Sequence, residues 1–550
     1  VLTVALTLLW FATLDARHLF HPDEGRYAEI AREMYVTGDW VTPRLNDFKY
    51  FEKPPFQYWV TAAAFDAFGV REWGARLWPA AAGFLAILSI AVAGHALGGI
   101  TLGAYGGLAL ATTVWHVVIA QIVTLDSGLS FFLTVAFSAF VIAQRDVTGA
   151  RARKRWMWLA AASLAGATLS KGLVALVIPG GALVAYTALT RDFAVWKRLH
   201  LASGFVLYLV LAAPWFVLVS RANDEFFQFF FIHEHFHRFL HGGDERPGHW
   251  YYFVPYFIVG ILPWLSIVFV GARRAWVEGT PNAQGFSWQR FALSWAAFVF
   301  LFFSASGSKL PSYILPMFPP LALVVAWVLL RLDTRTLLRL TWPGVMAAAL
   351  ITLLLFAGWD RYVPRFAGER VPVESLVQFG AWVKPAIAVA TAGGAALLVA
   401  LLLAPDSPKA RFTGFALQSV AVLAALQLTI VGFDALSTIR SSSAILRAAQ
   451  QAEAFAPDAP FYQIAMYDQT VPFYLGRATR VVEYRAELSL GIDAEPQKQI
   501  PALEAWIAEW QGLAKGYALM DRDLEPQLRA QNVPMRVLAR DARRMVVSRQ

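Results

Sequence analysis

The residues best equipped for chemistry come early. His21-Pro22-Asp23-Glu24-Gly25-Arg26-Tyr27 follows directly on an apolar run that begins at Val1. Two adjacent carboxylates and an arginine therefore stand where the chain leaves a bilayer, and ionisable groups at that depth are costly enough to mark functional positions. A carboxylate there can act as general base, hold a metal or pair with a substrate amine. Arginine grips phosphate through a planar fork and lysine as a point charge. The segment runs on through Asp39, Arg44, Asp47, Lys49, Glu52 and Lys53, a mixture of signs that suits an anionic substrate. Glu29, Arg32 and Glu33 read more simply as paired charges on an amphipathic surface helix. Asp23 and Arg26 are left as the functional pair, with Glu24 as a further catalytic candidate.

Tyr50-Phe51-Glu52-Lys53-Pro54-Pro55 closes the segment. The double proline stiffens the backbone and pushes Lys53 toward an extended conformation. A stiff lysine at the lipid–water boundary suits a phosphate whose tail stays in the bilayer; a snorkelling lysine is the plainer alternative. Further on, His233-Glu234-His235-Phe236-His237 matches the H-E-x-x-H pattern of zinc proteases, whose two histidines share a helix face. Two free positions in a His-rich patch make the match weak, and no further ligand motif is found in another span. A milder reading has zinc or manganese held by Glu52 with His233 or His235. Interfacial histidines pairing with carboxylates or headgroups explain the patch equally well.

These groups need a scaffold. The chain has 550 residues, 57% of them hydrophobic, and a mean hydropathy of +0.49, which with repeated apolar runs of bilayer length makes an integral membrane protein. Cysteine is absent, so disulfides, thiolate metal sites and a sulfur nucleophile are excluded. The net charge of +9 lies mostly in short loops between apolar runs, which points to orientation and anionic lipid rather than nucleic acid. The first run reads as a retained anchor, without a cleavage site. Spans are expected at 1–14, 74–94, 101–120, 127–143, 157–169, 173–190, 201–220, 251–271, 290–304, 313–331, 339–357, 385–404 and 412–433. The stretch 56–69 is short and interrupted by Asp66, so it is expected to lie in the interface.

With Arg145 to Arg155 in the cytoplasm, the other basic loops alternate onto that side, and Asp23 and Asp126 share the outer face. About thirteen spans follow, with the N-terminus inside and the C-terminus outside. The division is expected at 1–434 for the membrane half and 435–550 for a small α/β domain, whose strand-like runs alternate with helical ones.

The opening motif continues through Ala28-Glu29-Ile30-Ala31-Arg32-Glu33-Met34. With Gly38-Asp39-Trp40-Val41-Thr42-Pro43-Arg44 and Tyr50 to Pro55, it resembles the start of the GT-C glycosyltransferases related to protein O-mannosyltransferases, and among them the bacterial aminoarabinose (4-amino-4-deoxy-L-arabinose) transferases of lipid A. Glu234 to Phe239 followed by Trp250-Tyr251-Tyr252, and Ser308-Lys309-Leu310-Pro311-Ser312-Tyr313, resemble later motifs of that family. The resemblance spans most of the membrane half and is more specific to the lipid-linked donor than to the sugar.

It implies a membrane all-α, GT-C-type fold that moves aminoarabinose from undecaprenyl phosphate to a lipid A phosphate at the periplasmic side of the inner membrane. Such an enzyme serves lipopolysaccharide modification and polymyxin resistance. It would work as a monomer, with no cofactor required beyond the divalent metal already considered. Carried over, Asp23 is the catalytic carboxylate and Asp126 a second acid facing the same cavity. Lys53, Arg238 and Tyr313 hold the donor phosphate, with Tyr50 beside them, and Arg26 and Lys309 assist. Asp126 reads equally well as a helix N-cap. The alternatives are a relative that glycosylates protein or another lipid, a polyprenyl-lipid transporter, and the metalloprotease.

Overall fold

The computed structural model of the chain describes residues 2–237, 248–368 and 371–549, apart from the side chains of 233–237. Helix α1 (Leu2–Phe11) delivers the chain to α2 (Asp23–Thr37). Two acids in the first turn of α2 complement the partial positive charge of a helix N-terminus. Gly38, left-handed at φ 71°, ends the helix by donating its amide to Met34 O. A two-residue turn at Asn46 and Asp47, both at positive φ, joins strands β1 (Arg44–Leu45) and β2 (Phe48–Lys49). The Pro54-Pro55 pair then leads into α3 (Phe56–Phe68), which packs between α2 and α4 (Glu72–Ala111). At 13 residues α3 is not among the helices long enough to cross a membrane.

Helix α4 is broken at Gly98-Gly99, where the backbone leaves helical geometry, so it forms two arms. It is followed by α5 (Val114–Ala120), α6 (Leu125–Ala143), α7 (Ala150–Lys171), α8 (Val174–Thr190) and α9 (Leu201–Ala222). Further on, Phe253–Gly260 and Leu265–Glu278 meet at 100°. Among the described residues, eight helices are long and apolar enough to cross a membrane, or nine if that bent pair is one span. The thirteen expected stretches all fall on helix. The rest miss that standard because α1 and α8 are short, α7 carries Arg151, Arg153, Lys154 and Arg155, and 101–120 is divided between α4 and α5. The segment Pro311–Leu329 is almost wholly enclosed by its neighbours, whereas Thr334–Arg365 lies at the periphery.

The tail builds a five-stranded sheet from β3 (Phe461–Ile464), β4 (Arg480–Val482), β5 (Tyr517–Asp521), β6 (Arg536–Arg540) and β7 (Arg544–Ser548), in the order β4-β3-β5-β7-β6. Strand β3 runs parallel to β4 and β5, and β7 antiparallel to β5 and β6. Trp506 and Trp510, on helix Leu503–Gly512, fill one core. Ile445, Leu446 and Ala449, on helix Ser443–Ala452, fill the other.

This sheet domain docks onto α2 and the β1–β2 hairpin. Asn46 Nδ2 donates to Thr479 O at 2.7 Å, and Thr479 N donates to Asn46 Oδ1 at 2.7 Å. Arg44 pairs with Glu495 at 3.1 Å. The expected surface helix is therefore covered. Glu29, Arg32 and Glu33 are all buried, with Arg32 gripping Glu29 at 2.6 Å and Gly476 O at 2.9 Å.

Candidate functional site

The two carboxylates of the opening motif point into different surroundings. Glu24 is 2% exposed. Arg17 holds its oxygens at 2.5 and 2.7 Å, Arg76 Nε donates at 3.1 Å, and the amides of Phe20 and Val123 each donate at 3.1 Å. Burial pushes this carboxyl up, but the Arg17 and Arg76 guanidiniums overcome that and hold it at about 2. Arg76 also takes the carbonyls of Leu14, Arg17 and His18 at 2.7 to 3.0 Å. Arg76 Nη2 adds a sixth donor at 3.4 Å, so Glu24 has no lone pair facing a substrate. It fastens the chain exit to α4 and to the turn before α6, and this replaces the catalytic task expected of it.

Asp23 keeps 35% of its side chain exposed and makes one contact with Arg26, at 3.3 Å. Arg26 is 9% exposed, and its second nitrogen lies 3.5 Å from Glu487 of the sheet domain. Burial opposes the Arg26 charge, yet Tyr50, Tyr27, Asp23 and Glu52 surround it and raise its hold on the proton. Tyr50 Oη donates to Glu52 at 3.0 Å. Burial, then Glu52, push the Tyr50 phenol far up, so it stays a donor. Tyr58 Oη is buried without a hydrogen-bond partner among the described residues. The corner thus presents an accessible carboxylate, a buried cation and several phenols, a lining that can bind a polar ring and an anion together.

Asp126 arrives at the same end of the bundle, because α6 begins just after the Val123 amide that Glu24 holds. The N-cap position belongs to Thr124, and the Asp126 carboxylate is hydrogen-bonded to Lys171 at the end of α7. Lys171 Nζ sits 4.6 Å from the centre of the Tyr313 ring, so Asp126, Lys171 and Tyr313 form one line. Lys53 Nζ donates to Glu52 O at 2.8 Å. Lys309 is used differently from the phosphate grip expected of it. It is 4% exposed, burial pushes its ammonium down, and its three protons go to the carbonyls of Phe303, Ser304 and Ser306. It closes a helix end.

Arg238 and the side chains of His233 and His235 lie outside the described residues. Among the described residues no three His, Asp or Glu side chains gather as a metal-ligand set. Sequence reasoning places Lys171 on the outer face with Asp126 but gives it no role, and it missed Arg17, Arg76, Tyr58 and Glu487. Arg76 carried a signal, a cation inside an apolar helix. Glu487 carried none, because nothing local marks it.

Comparison with known proteins covers both halves. Residues 1–233 match the dolichyl-phosphate-mannose-protein mannosyltransferase family, and residues 447–549 match the aminoarabinose transferase C-terminal domain. An undecaprenyl phosphate-alpha-4-amino-4-deoxy-L-arabinose arabinosyl transferase of Enterobacter sp. is 30% identical over 393 residues, 70% of each chain. The protein of the same name from Pectobacterium atrosepticum is 31% identical over 400 residues, 70% of this chain and 69% of its own. The crystal structure of ArnT from Cupriavidus metallidurans bound to undecaprenyl phosphate aligns over 100% of this chain and 97% of its own, with 36% identity and a TM-score of 0.91. The Archaeoglobus fulgidus oligosaccharyltransferase shares the fold alone, at 11% identity and a TM-score of 0.52.

Proposed function

The chain belongs to the bacterial undecaprenyl phosphate-aminoarabinose arabinosyl transferases, and we propose that it moves 4-amino-4-deoxy-L-arabinose from undecaprenyl phosphate to a lipid A phosphate at the periplasmic face of the inner membrane. It is a multi-pass membrane glycosyltransferase of GT-C fold that uses a polyprenyl-phosphate-linked sugar. The outward orientation draws support from the basic loop Arg145 to Arg155.

A phosphate acceptor is already ionised at neutral pH and needs little deprotonation. Its oxygen attacks the anomeric carbon as the bond to the carrier phosphate breaks, and that bond's electron pair stays on undecaprenyl phosphate. One displacement inverts the anomeric centre. Asp23 orients the attack, offsets positive charge developing on the sugar, or meets its amine. Lys53, Arg238 and Tyr313 stabilise the departing phosphate as it gains charge, and Asp126 fixes Lys171 against Tyr313.

The observation that carries this reading is the accessible Asp23 carboxylate beside the buried Arg26 cation, at the chain exit of a fold that aligns along its whole length with a relative bound to undecaprenyl phosphate. Purified protein, aminoarabinose-charged undecaprenyl phosphate and lipid A should yield lipid A heavier by one aminopentose, by mass spectrometry. Sugar found on a peptide with lipid A unchanged would give the function to another GT-C activity. Carrier movement without transfer would make the chain a transporter.

A further inference from the structure

Besides the Arg32–Gly476 contact, the sheet domain meets the first turn of the helix that bears Asp23 and Arg26 at two neighbouring points. The first is Gly25, which lies between them. A Cβ there would stand 2.7 Å from Thr470 Cγ2 and 2.8 Å from the Gln469 carbonyl carbon and from Thr470 N, so the Gln469–Thr470 peptide packs directly against the first turn of α2. The second is Glu487. Gln469 Nε2 donates to its Oε1, and Tyr484 Oη donates to its Oε2 at 2.7 Å. Held this way, Glu487 Oε1 lies 3.5 Å from Arg26 Nη2, while Asp23 Oδ1 lies 3.3 Å from Arg26 Nη1. The Glu487 side chain is 10% exposed against 35% for Asp23. Arg26 Nε is buried with no partner among the described residues.

A carboxylate three residues before an arginine on a helix is free to take its guanidinium as a two-point pair. Asp23 instead makes one long contact. The fork is shared, with its second arm turned toward an acid that two side chains hold in place. We propose that Glu487 is a positioning residue for the transfer reaction: it draws the Arg26 guanidinium off Asp23, leaving that carboxylate available to the sugar and the cation aimed at the anionic substrate. The proposal rests on the Asp23 site assigned above. It makes the sheet domain a working part of the site, through a carboxylate that no motif marks.

The test uses the full chain in detergent, with aminoarabinose-charged undecaprenyl phosphate as donor and lipid A as acceptor. Glu487→Gln keeps the shape and removes the charge. It should lower kcat roughly tenfold to a hundredfold, the scale of a small misplacement of a reacting group. Donor KM should stay within about threefold, and Glu487→Asp should recover part of the rate. In an Arg26→Gln background, Glu487→Gln should cost nothing further, because the partner it acts through is gone. Gly25→Ala, which displaces the Gln469–Thr470 peptide, should reproduce the kcat loss by an independent route. Wild-type kcat in Glu487→Gln would overturn the proposal. So would a full additive loss on top of Arg26→Gln. A changed preference between aminated and non-aminated pentose donors would also overturn it, by making Glu487 a reader of the amine. If the wild-type chain itself leaves lipid A unmodified, the fault lies with the Asp23 reading, whatever stands at 487.

Discussion

Two consecutive residues in the first turn of α2 face two corners built from the same residue types. Inside, Glu24 sits between Arg17 and Arg76 with every oxygen saturated and 2% of the residue exposed. Outside, Asp23 shares Arg26 with Glu487 and keeps a third of its side chain open. The inner corner has more donors than its acid needs and is locked. The outer corner sets two acids against one cation and leaves a carboxylate open, as the role proposed for Asp23 requires. Saturation, not residue type, separates structure from chemistry here.

Breaking the inner corner should have the largest effect. Glu24→Gln leaves two buried guanidiniums facing each other uncompensated, and we expect a loss of about 3–5 kcal/mol in stability, read from unfolding in detergent. Normal stability would dissolve the contrast. Next comes Asp23→Asn, which should lower transfer by on the order of 10²–10³-fold while the protein inserts and unfolds as the wild type does; normal lipid A modification by this variant would remove Asp23 from the mechanism.

Acid probes the inner corner without mutation. The Glu24 carboxyl titrates at about 2 in the folded chain against 4.5 as its ordinary value. A depressed carboxylate stabilises fully above its unfolded pKa, so this contribution, about 3 kcal/mol, is present above pH 4.5 and is lost as the pH falls toward 2. Glu24→Gln should lack that component of acid sensitivity.

Smaller effects sharpen the outer corner. Lys53→Ala should raise the donor KM about tenfold, and unchanged donor kinetics would make Lys53 a snorkelling anchor. The mildest intervention is chelation. We expect EDTA to leave transfer within about twofold, because side-chain cations are placed to meet the phosphates; a loss restored by zinc or manganese would place a metal at Glu52.

Much of this was legible in the residues. Apolar run length located the helices, alternation in the tail marked a small α/β domain, and the depth of Asp23 made it the candidate on which the proposed function rests. What escaped depends on distance along the chain. Glu24 looked as reactive as Asp23 because its partner Arg76 is remote in sequence and lies within an apolar helix. Glu29 and Arg32 looked solvent-facing because the domain that covers them is built from residues after 440. Lys309 looked like a phosphate ligand because the helix end it closes is made by folding. Glu487 is invisible to motif reading, since its meaning comes from the helix it touches.

The clasp between Asn46 and Thr479 joins positions 433 residues apart. A ribosome therefore finishes the membrane bundle long before the groups that complete its reactive corner have been made. If Glu487 positions Arg26 as proposed, a nascent chain whose bundle is already inserted still lacks a finished catalyst.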